Sequence, residues 1–131
     1  MSSPPNITPY DRLGGSDGLH ALVSQFYRNM DELPGVDDVR GMHALDLSGA
    51  ESKLFKFLSG WLGGPNLYWE EFGHPRLRMR HLPFSIGAKE RDQWLACMHM
   101  ALDSTVQEAE LREHLYQAFI QTANHMINRI E

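Results

Sequence analysis

Near the middle of the chain stands the run His74-Pro75-Arg76-Leu77-Arg78-Met79-Arg80-His81-Leu82-Pro83-Phe84. Three of the chain's 12 Lys and Arg residues alternate there with Leu and Met, directly before His81. Pro75 favours the first turn of a helix and Pro83 prevents its continuation, so the run predicts a short helix from His74 to near His81. Because so short a helix is not stable alone, contacts from the rest of the fold or from a bound group are needed to hold it.

Length and charge restrict the class of protein. The 131 residues fit one domain over residues 1–131, with a loose Ser- and Pro-rich tail at residues 1–7. A net charge of -5 argues against general nucleic-acid binding, and no apolar run approaches the ~20 residues of a membrane span. The N-terminal stretch lacks the basic start and apolar core of a secretion signal. The single cysteine, Cys97, excludes an internal disulfide framework and favours a reducing cytoplasm, and we expect it to be structural.

Apolar residues at helical spacing dominate the rest of the chain. They predict four long helices, at about residues 16–33, 48–62, 88–103 and 107–130. Thr8-Pro9 predicts a short helix that stops at Gly14-Gly15, a further turn is expected at residues 38–42, and residues 66–73 are predicted to form a loop. Ser48 and Glu51 have the spacing of a capping box. No segment alternates at period two for long enough to be a strand, so we expect an all-α domain.

The seven histidines contain neither an HExxH pair nor a Cys/His cluster of zinc-finger spacing. His74 and His81 on one helix face would lie ~10 Å apart, too far for one metal ion to bridge. A zinc or di-metal site made by protein side chains alone is therefore not expected.

The setting of His81 suits a haem group. His81 ends a short helix, Arg78 points to nearly the same side, and Arg80 is adjacent. Haem iron takes an axial histidine, and guanidinium groups match its carboxylates. The alternative, a solvated basic helix with His81 as a capping residue at its C-terminus, stays open at this point.

Two aromatic donors lie on predicted inward faces. Tyr27, beside Phe26, lies on the buried face of its helix, and Trp94 lies on the inner stripe of a later one. A buried Tyr or Trp usually needs a partner for its O–H or N–H. Each alone is most simply a core residue, but together with His43, which follows a helix break, they could converge on a ligand.

With these pieces in this order, the chain resembles a truncated haemoglobin of the second group, over roughly residues 8–128. The matching motifs are Tyr10-Asp11-Arg12-Leu13-Gly14-Gly15, Phe26-Tyr27, Gly63-Gly64-Pro65, the run from Gly73 to Phe84, and Glu90-Arg91-Asp92-Gln93-Trp94-Leu95. The resemblance implies a two-over-two helical sandwich around haem b.

The resemblance also implies roles for single residues. His81 matches the proximal iron ligand. Tyr27 matches the distal tyrosine that hydrogen-bonds the bound ligand, and Trp94 matches the pocket tryptophan of this group. His43 matches a variable third distal position, for which Met42 is a competitor.

Further matches concern the rim and walls of the cofactor site. Arg80 and Tyr68 match positions that touch the propionates, and helical geometry adds Arg78. Ala50 stands where many globins have a distal histidine, and its side chain cannot donate a hydrogen bond. Some members carry a double glycine after the short helix; here Gly87 is the only glycine of the turn at residues 82–89. The apolar contacts expected with the cofactor are Leu54, Phe57, Phe84 and Met98.

Three functions fit this reading. The first is a haem protein that binds O2 and other diatomic ligands such as NO or CO, releases oxygen slowly, and is a monomer or weak homodimer. The second is a haem enzyme that oxidises nitric oxide or reduces peroxide, which would need an external reductase. The third is a haem-free helical interaction module. The sequence favours the first, and it leaves open whether His43 or Tyr27 ligates ferric iron.

Overall fold

The computed structural model describes residues 7–128 and folds them into eight helices. They are α1 (Pro9–Leu13), α2 (Gly15–Glu32), α3 (Asp37–Gly41), α4 (Ser48–Trp61), α5 (Leu67–Phe72), α6 (Leu77–His81), α7 (Ala88–Thr105) and α8 (Ala109–Met126). No strand is present between residues 7 and 128, and the prediction of an all-α fold with four long helices is confirmed. No helix in this part of the chain is both long and apolar enough to cross a membrane. Of the predicted tail only Ile7 lies within the described residues, and it is exposed.

A single hydrophobic core joins two pairs of helices, α2 with α4 and α7 with α8, which are stacked through α2 and α7. This is the predicted two-over-two arrangement. Every third or fourth residue of α2 is buried, as the apolar spacing predicts. The core residues of the three longest helices are Leu19, Leu22, Val23, Phe26 and Met30 of α2, Cys97, Met98, Ala101 and Leu102 of α7, and Leu111, Leu115 and Phe119 of α8.

One buried polar side chain crosses this core. Asn29 of α2 donates from Nδ2 to the Cys97 carbonyl of α7 at 2.9 Å, and its Oδ1 accepts from Gln25 Nε2 at 2.8 Å. A buried amide left without partners would destabilise the fold by about 1–3 kcal/mol, so this pairing fixes one register of α2 against α7. Tyr27 and Trp94 lie within one helical turn of the two ends of the bond, and their separation therefore depends on it.

The start of α4 differs from the prediction. The capping box expected of Ser48 and Glu51 is wrong, because Ser48 is already the first helical residue and Leu47 occupies the cap position. The Asp46 carboxylate accepts the Ser48 N–H at 2.9 Å instead. A capping box is present at α1, where Thr8 and Asp11 bond each other's backbone amides.

The segment before His81 also differs from the prediction. Residues 67–72, expected to be a loop, form α5. Helix α6 begins at Leu77 rather than at His74, because Arg76 has a left-handed backbone with φ of 44° and its N–H donates to His74 Nδ1 at 3.0 Å. A left-handed residue cannot belong to a right-handed helix, so the helix starts after it. It ends at His81, as predicted.

The last helix is shorter than predicted, and its end supports the turn at residues 82–89. Extended residues flank α8 at Glu108 and Ile127, and the last residues of the predicted helix, 129–130, lie outside the described part of the chain. Asn128, just after α8, donates to the Phe84 carbonyl at 2.8 Å and accepts the Ile86 N–H at 2.9 Å. Gly87 has an extended backbone, so no left-handed glycine is needed there.

Gly18 marks the closest approach of α1 and α2. A methyl group at this position would lie 1.8 Å from the Leu13 carbonyl oxygen, a backbone atom that cannot move independently. We predict that Gly18→Ala lowers the free energy of unfolding by about 3 kcal/mol, because the two helices must separate. Urea unfolding followed by circular dichroism measures this change.

Gly49→Ala is the matched control, since the added methyl group meets nothing within 4 Å. We expect it to leave the free energy of unfolding unchanged or to raise it by up to about 1 kcal/mol. Equal stability of the two variants would contradict the packing of α1 on α2 described here.

Candidate functional site

The structure places Tyr27 and Trp94 on either side of Phe26, and His43 next to Tyr27. The ring centroid of Phe26 lies 4.9 Å from that of Tyr27 and 5.0 Å from that of Trp94, and the Tyr27 ring lies edge-on to His43 at 6.0 Å. The three predicted ligand-stabilising residues thus come from α2, α7 and the loop after α3. Met42, the competitor of His43, is the residue that caps α3 at its C-terminus.

The imidazole ring of His81 has a defined orientation. Its Nδ1 lies 2.6 Å from the Leu77 carbonyl, one helical turn earlier, so Nδ1 carries the proton and donates it. The Nε2 lone pair is therefore left for a metal, the arrangement that a monodentate axial ligand needs. Within residues 7–128 no group of three or more His, Cys, Asp or Glu side chains could hold a metal ion, so His81 is not part of a chelating set.

The two arginines before His81 tie α6 to its neighbours. Arg78 donates from Nη1 to the carbonyls of His125 and Ile127 at the end of α8, at 2.6 and 3.0 Å. Arg80 donates from Nη2 to the carbonyls of Phe72 and His74 at 3.4 and 3.2 Å. Cations are favoured at such carbonyl-rich helix ends. Their predicted contacts with carboxylates would use the remaining guanidinium donors.

Arg80 also faces Tyr68. Its guanidinium lies over the Tyr68 ring at 5.6 Å, which places the predicted pair of propionate-binding residues side by side. Both belong to the short helices α5 and α6 that form one side of the site.

Tyr27 has its hydroxyl satisfied within the protein. The O–H donates to the Ala50 carbonyl at 3.3 Å, and the side chain is buried. Burial, assisted by the charge of Glu51, raises the pKa of Tyr27 far above its ordinary value, so the phenol stays protonated and remains a donor. Ala50 thus enters the site through its carbonyl and not through its side chain.

His43 is neutral and has a fixed tautomer. Burial lowers its pKa, Arg40 and His81 act in the same direction, and the bond to Val39 opposes them. Its Nδ1 lies 2.9 Å from the Val39 carbonyl, so Nδ1–H donates there and Nε2 carries a lone pair. In this state Nε2 can accept a hydrogen bond or bind a metal, and it can donate only after a second protonation.

Trp94 packs between two phenylalanines. Its ring lies 5.0 Å from Phe26 and 5.7 Å from Phe119, and the side chain is half-buried. Among the described residues its indole N–H meets no acceptor. Of the three residues Tyr27, His43 and Trp94, Trp94 is therefore the one whose N–H has no hydrogen-bond acceptor among the described residues.

Apolar side chains form the remaining walls. Leu54 and Phe57 of α4 are half-buried, Met98 of α7 is fully buried, and Phe84 is 42% exposed with its ring 6.3 Å from His81. A cavity of about 640 Å³ opens between the end of α4 and the start of α6, with Phe57 and Leu77 among its lining residues. The residues that line this cavity do not include His81, Tyr68, Arg80 or the three predicted ligand-stabilising residues. The His81 imidazole, the apolar side chains above and the Arg80–Tyr68 pair match the chemistry of an apolar ring that carries a metal at its centre and carboxylates at its edge.

Cys97 takes no part in this site. Its side chain is fully buried, and burial raises its pKa to about 11, so it is a thiol at neutral pH. Its carbonyl, which anchors Asn29, matters more to the site than its sulfur.

Sequence reasoning missed the backbone groups and side chains that orient the histidines. These are the carbonyls of Leu77 and Val39, and Gln93, whose Oε1 accepts the Val39 N–H at 3.0 Å. The only signal for Gln93 in the sequence was its position next to Trp94.

Comparison with known proteins gives consistent matches. The family model for bacterial-like globins matches residues 8–128. The group 2 truncated hemoglobin YjbI of Bacillus subtilis is 42% identical over 94% of this chain and 90% of that protein. The cold-adapted truncated hemoglobin of Pseudoalteromonas haloplanktis superposes with a TM-score of 0.93 at 46% identity, over 95% of this chain and 100% of that one. The group II 2-on-2 hemoglobin of Agrobacterium tumefaciens has a TM-score of 0.93 at 44% identity, over 99% of this chain and 100% of that one.

Proposed function

Because this chain belongs to the bacterial-like globin family, as a group II truncated haemoglobin, we propose that it binds oxygen at a haem b held by His81. Family membership makes the chain a haem protein that binds oxygen. The haem type and the residues that hold the haem and the ligand are our proposal. The observation that supports it most strongly is the single imidazole of His81, oriented by Leu77 with its Nε2 left free.

The residues around His81 suit a haem b. Haem supplies an iron at which a diatomic molecule binds reversibly. Arg80 and Tyr68 would hold the propionates, with Arg78 as a further cation. The apolar side chains of Leu54, Phe57, Phe84 and Met98 would cover the macrocycle. Burying a large apolar group against such walls contributes roughly 25 cal/mol per Å², which is enough to retain a non-covalent cofactor.

Hydrogen bonds from Tyr27 and Trp94 would retain the ligand. Haem iron would donate electron density to oxygen and give it partial negative charge, and a hydrogen bond to a charged acceptor is worth about 1.5–3 kcal/mol. Trp94 has a free N–H, so it contributes this in full. Tyr27 must first break its hydrogen bond to the Ala50 carbonyl, so it contributes only the difference in free energy between its bond to the ligand and its bond to that carbonyl. We infer slow oxygen release, with NO and CO as further ligands.

The setting of the protein is also a proposal. We infer a cytoplasmic protein, because its single cysteine is a buried free thiol, as suits a reducing compartment.

We predict that His81→Gly abolishes stable haem binding, because the other imidazole with a similarly held Nδ1, that of His43, lies beside Tyr27 and not on α6. Added imidazole should restore it, since the small molecule can occupy the vacated position. Titration with haem followed by the Soret absorbance measures both effects. His114→Gly, the same change at an exposed helical histidine, is the control, and an unaltered spectrum of His81→Gly would overturn the assignment.

We predict that Trp94→Phe speeds oxygen release by roughly tenfold to a hundredfold, and Tyr27→Phe by about fivefold. The difference follows from the bond between Tyr27 and Ala50, which Trp94 lacks. Stopped-flow displacement of oxygen by CO measures the rates, with Trp69→Phe on exposed α5 as the control. Release at the parent rate from the Tyr27→Phe/Trp94→Phe double variant would rule out this retention mechanism.

We predict that oxygen release slows as the pH falls from about 8 to about 5, through the lowered pKa of His43. The direction follows from the tautomer: the folded pKa lies below 6.5, and protonation there adds an Nε2–H that can donate to the ligand. The same stopped-flow assay over this range tests it. His43→Phe should lose the effect, and an identical pH profile in both proteins would refute it.

A further inference from the structure

The first turn of α3 is capped by a residue from another helix. The first N–H groups of a helix have no partner within it, and the cap residue Val36 has no side-chain oxygen to supply one. Gln93 of α7 fills this role: its Oε1 accepts the Val39 N–H at 3.0 Å, and its Nε2 donates to Asp38 Oδ2 at 2.8 Å. Its carboxamide thus bonds α3 at two points, which is a cap supplied from tertiary structure.

The same residue that Gln93 caps also holds His43. The Val39 N–H faces Gln93, while the Val39 carbonyl accepts the His43 Nδ1–H at 2.9 Å. Val39 itself is 4% exposed, so solvent does not readily replace either bond. The position of the Val39 peptide groups therefore determines where the imidazole lies and which nitrogen carries its proton.

We propose that Gln93 is a positioning residue that fixes the tautomer and location of His43 by capping α3 through Val39. Helix α7 then determines the positions of both His43 and Trp94, because Trp94 follows Gln93 directly in the sequence. The consequence for ligand release rests on the proposed function, whereas the cap itself does not.

The loop after α3 has supports of its own. Arg40 donates from its guanidinium to Asp31 at 2.6 Å and to the carbonyls of Ala44 and Leu45, both at 2.9 Å. Loss of Gln93 should therefore loosen the start of α3 without unfolding the segment that carries His43. This separates a positioning role from a general loss of structure.

Three variants test the cap. Gln93→Leu removes both bonds, and Gln93→Glu keeps an acceptor for Val39 but faces the Asp38 carboxylate. Gln93→Glu/Asp38→Asn reverses donor and acceptor at unchanged charge, so the introduced carboxylate can accept from both the Val39 N–H and the introduced amide. Lys89, which pairs with Asp38 at 3.0 Å, lies one turn from position 93 and would balance the relocated charge. Gln117→Leu on α8 is the control, since it also breaks a side-chain bond at 2.9 Å.

The first readout is hydrogen exchange of the Val39 amide, measured on the protein as purified. We expect exchange at least about tenfold faster in Gln93→Leu, restoration in the donor–acceptor-reversed double variant, and no change in Gln117→Leu. Unchanged protection of Val39 in Gln93→Leu would overturn the proposal.

The second readout is the His43 tautomer, from two-bond 1H–15N correlation spectra of the CO complex. The parent should show Nδ1–H, Gln93→Leu a mixture of both tautomers, and the double variant Nδ1–H again. If Gln93 had only a structural role, exchanging donor and acceptor in the double variant would not restore the Nδ1–H tautomer. An Nδ1–H tautomer that persists in Gln93→Leu contradicts the proposal.

The third readout is a double-mutant cycle on oxygen release. Gln93→Leu should change the rate by roughly threefold or more in the parent, but by less than about twofold in His43→Phe, since it acts through the imidazole. Equal effects in both backgrounds, or none in either, overturn the positioning role. Failure to bind haem would instead sink the proposed function, and the Val39 exchange would still decide the cap.

Discussion

The bond between the His81 Nδ1–H and the Leu77 carbonyl is the interaction on which the site depends. It selects the tautomer and aims Nε2, but it lies within a helix of five residues that has little stability of its own. The bonds of Arg78 and Arg80 to carbonyls of neighbouring segments compensate for this. Arg78 and Arg80 thus have a structural purpose beyond any carboxylate, because their guanidinium groups hold the short helix in place.

The opposite side of the site relies on packing more than on local bonds. Phe26 holds Tyr27 and Trp94 at fixed distances, and the buried amide of Asn29 fixes α2 against α7. Tyr27 and Trp94 therefore come from long helices with a deep core, whereas His81 comes from a short one and His43 from the loop after α3.

The apolar spacing predicted the long helices well, because burial of one face determines them. Boundaries set by single backbone or side-chain choices were less predictable. Ser48 has the spacing of a cap, but Asp46 two residues earlier offers a stronger acceptor. The left-handed Arg76 delays α6, and nothing in its side chain signals that conformation.

The same limit applies to the site. His81, Tyr27, His43 and Trp94 could be named from their motifs and positions, and the structure places Tyr27 and Trp94 against Phe26 and His43 against Tyr27. The nitrogen that carries the proton in His43 and His81 could not be predicted, since it depends on the carbonyls of Val39 and Leu77 that the fold places beside them. The Val39 carbonyl can only accept a hydrogen bond, and this determines that Nδ1 of His43 is the donor.

The bond between Tyr27 and the Ala50 carbonyl also has a consequence for selectivity. Under the proposed function, an arriving molecule would compete with this peptide oxygen for the phenolic proton, and only one that draws substantial electron density from the haem iron would receive it. Ligands that remain nearly neutral would leave the phenol where it is. Under the proposed function, the Ala50 carbonyl would thus act as an internal reference, against which the protein would rank small gases by polarity rather than by size.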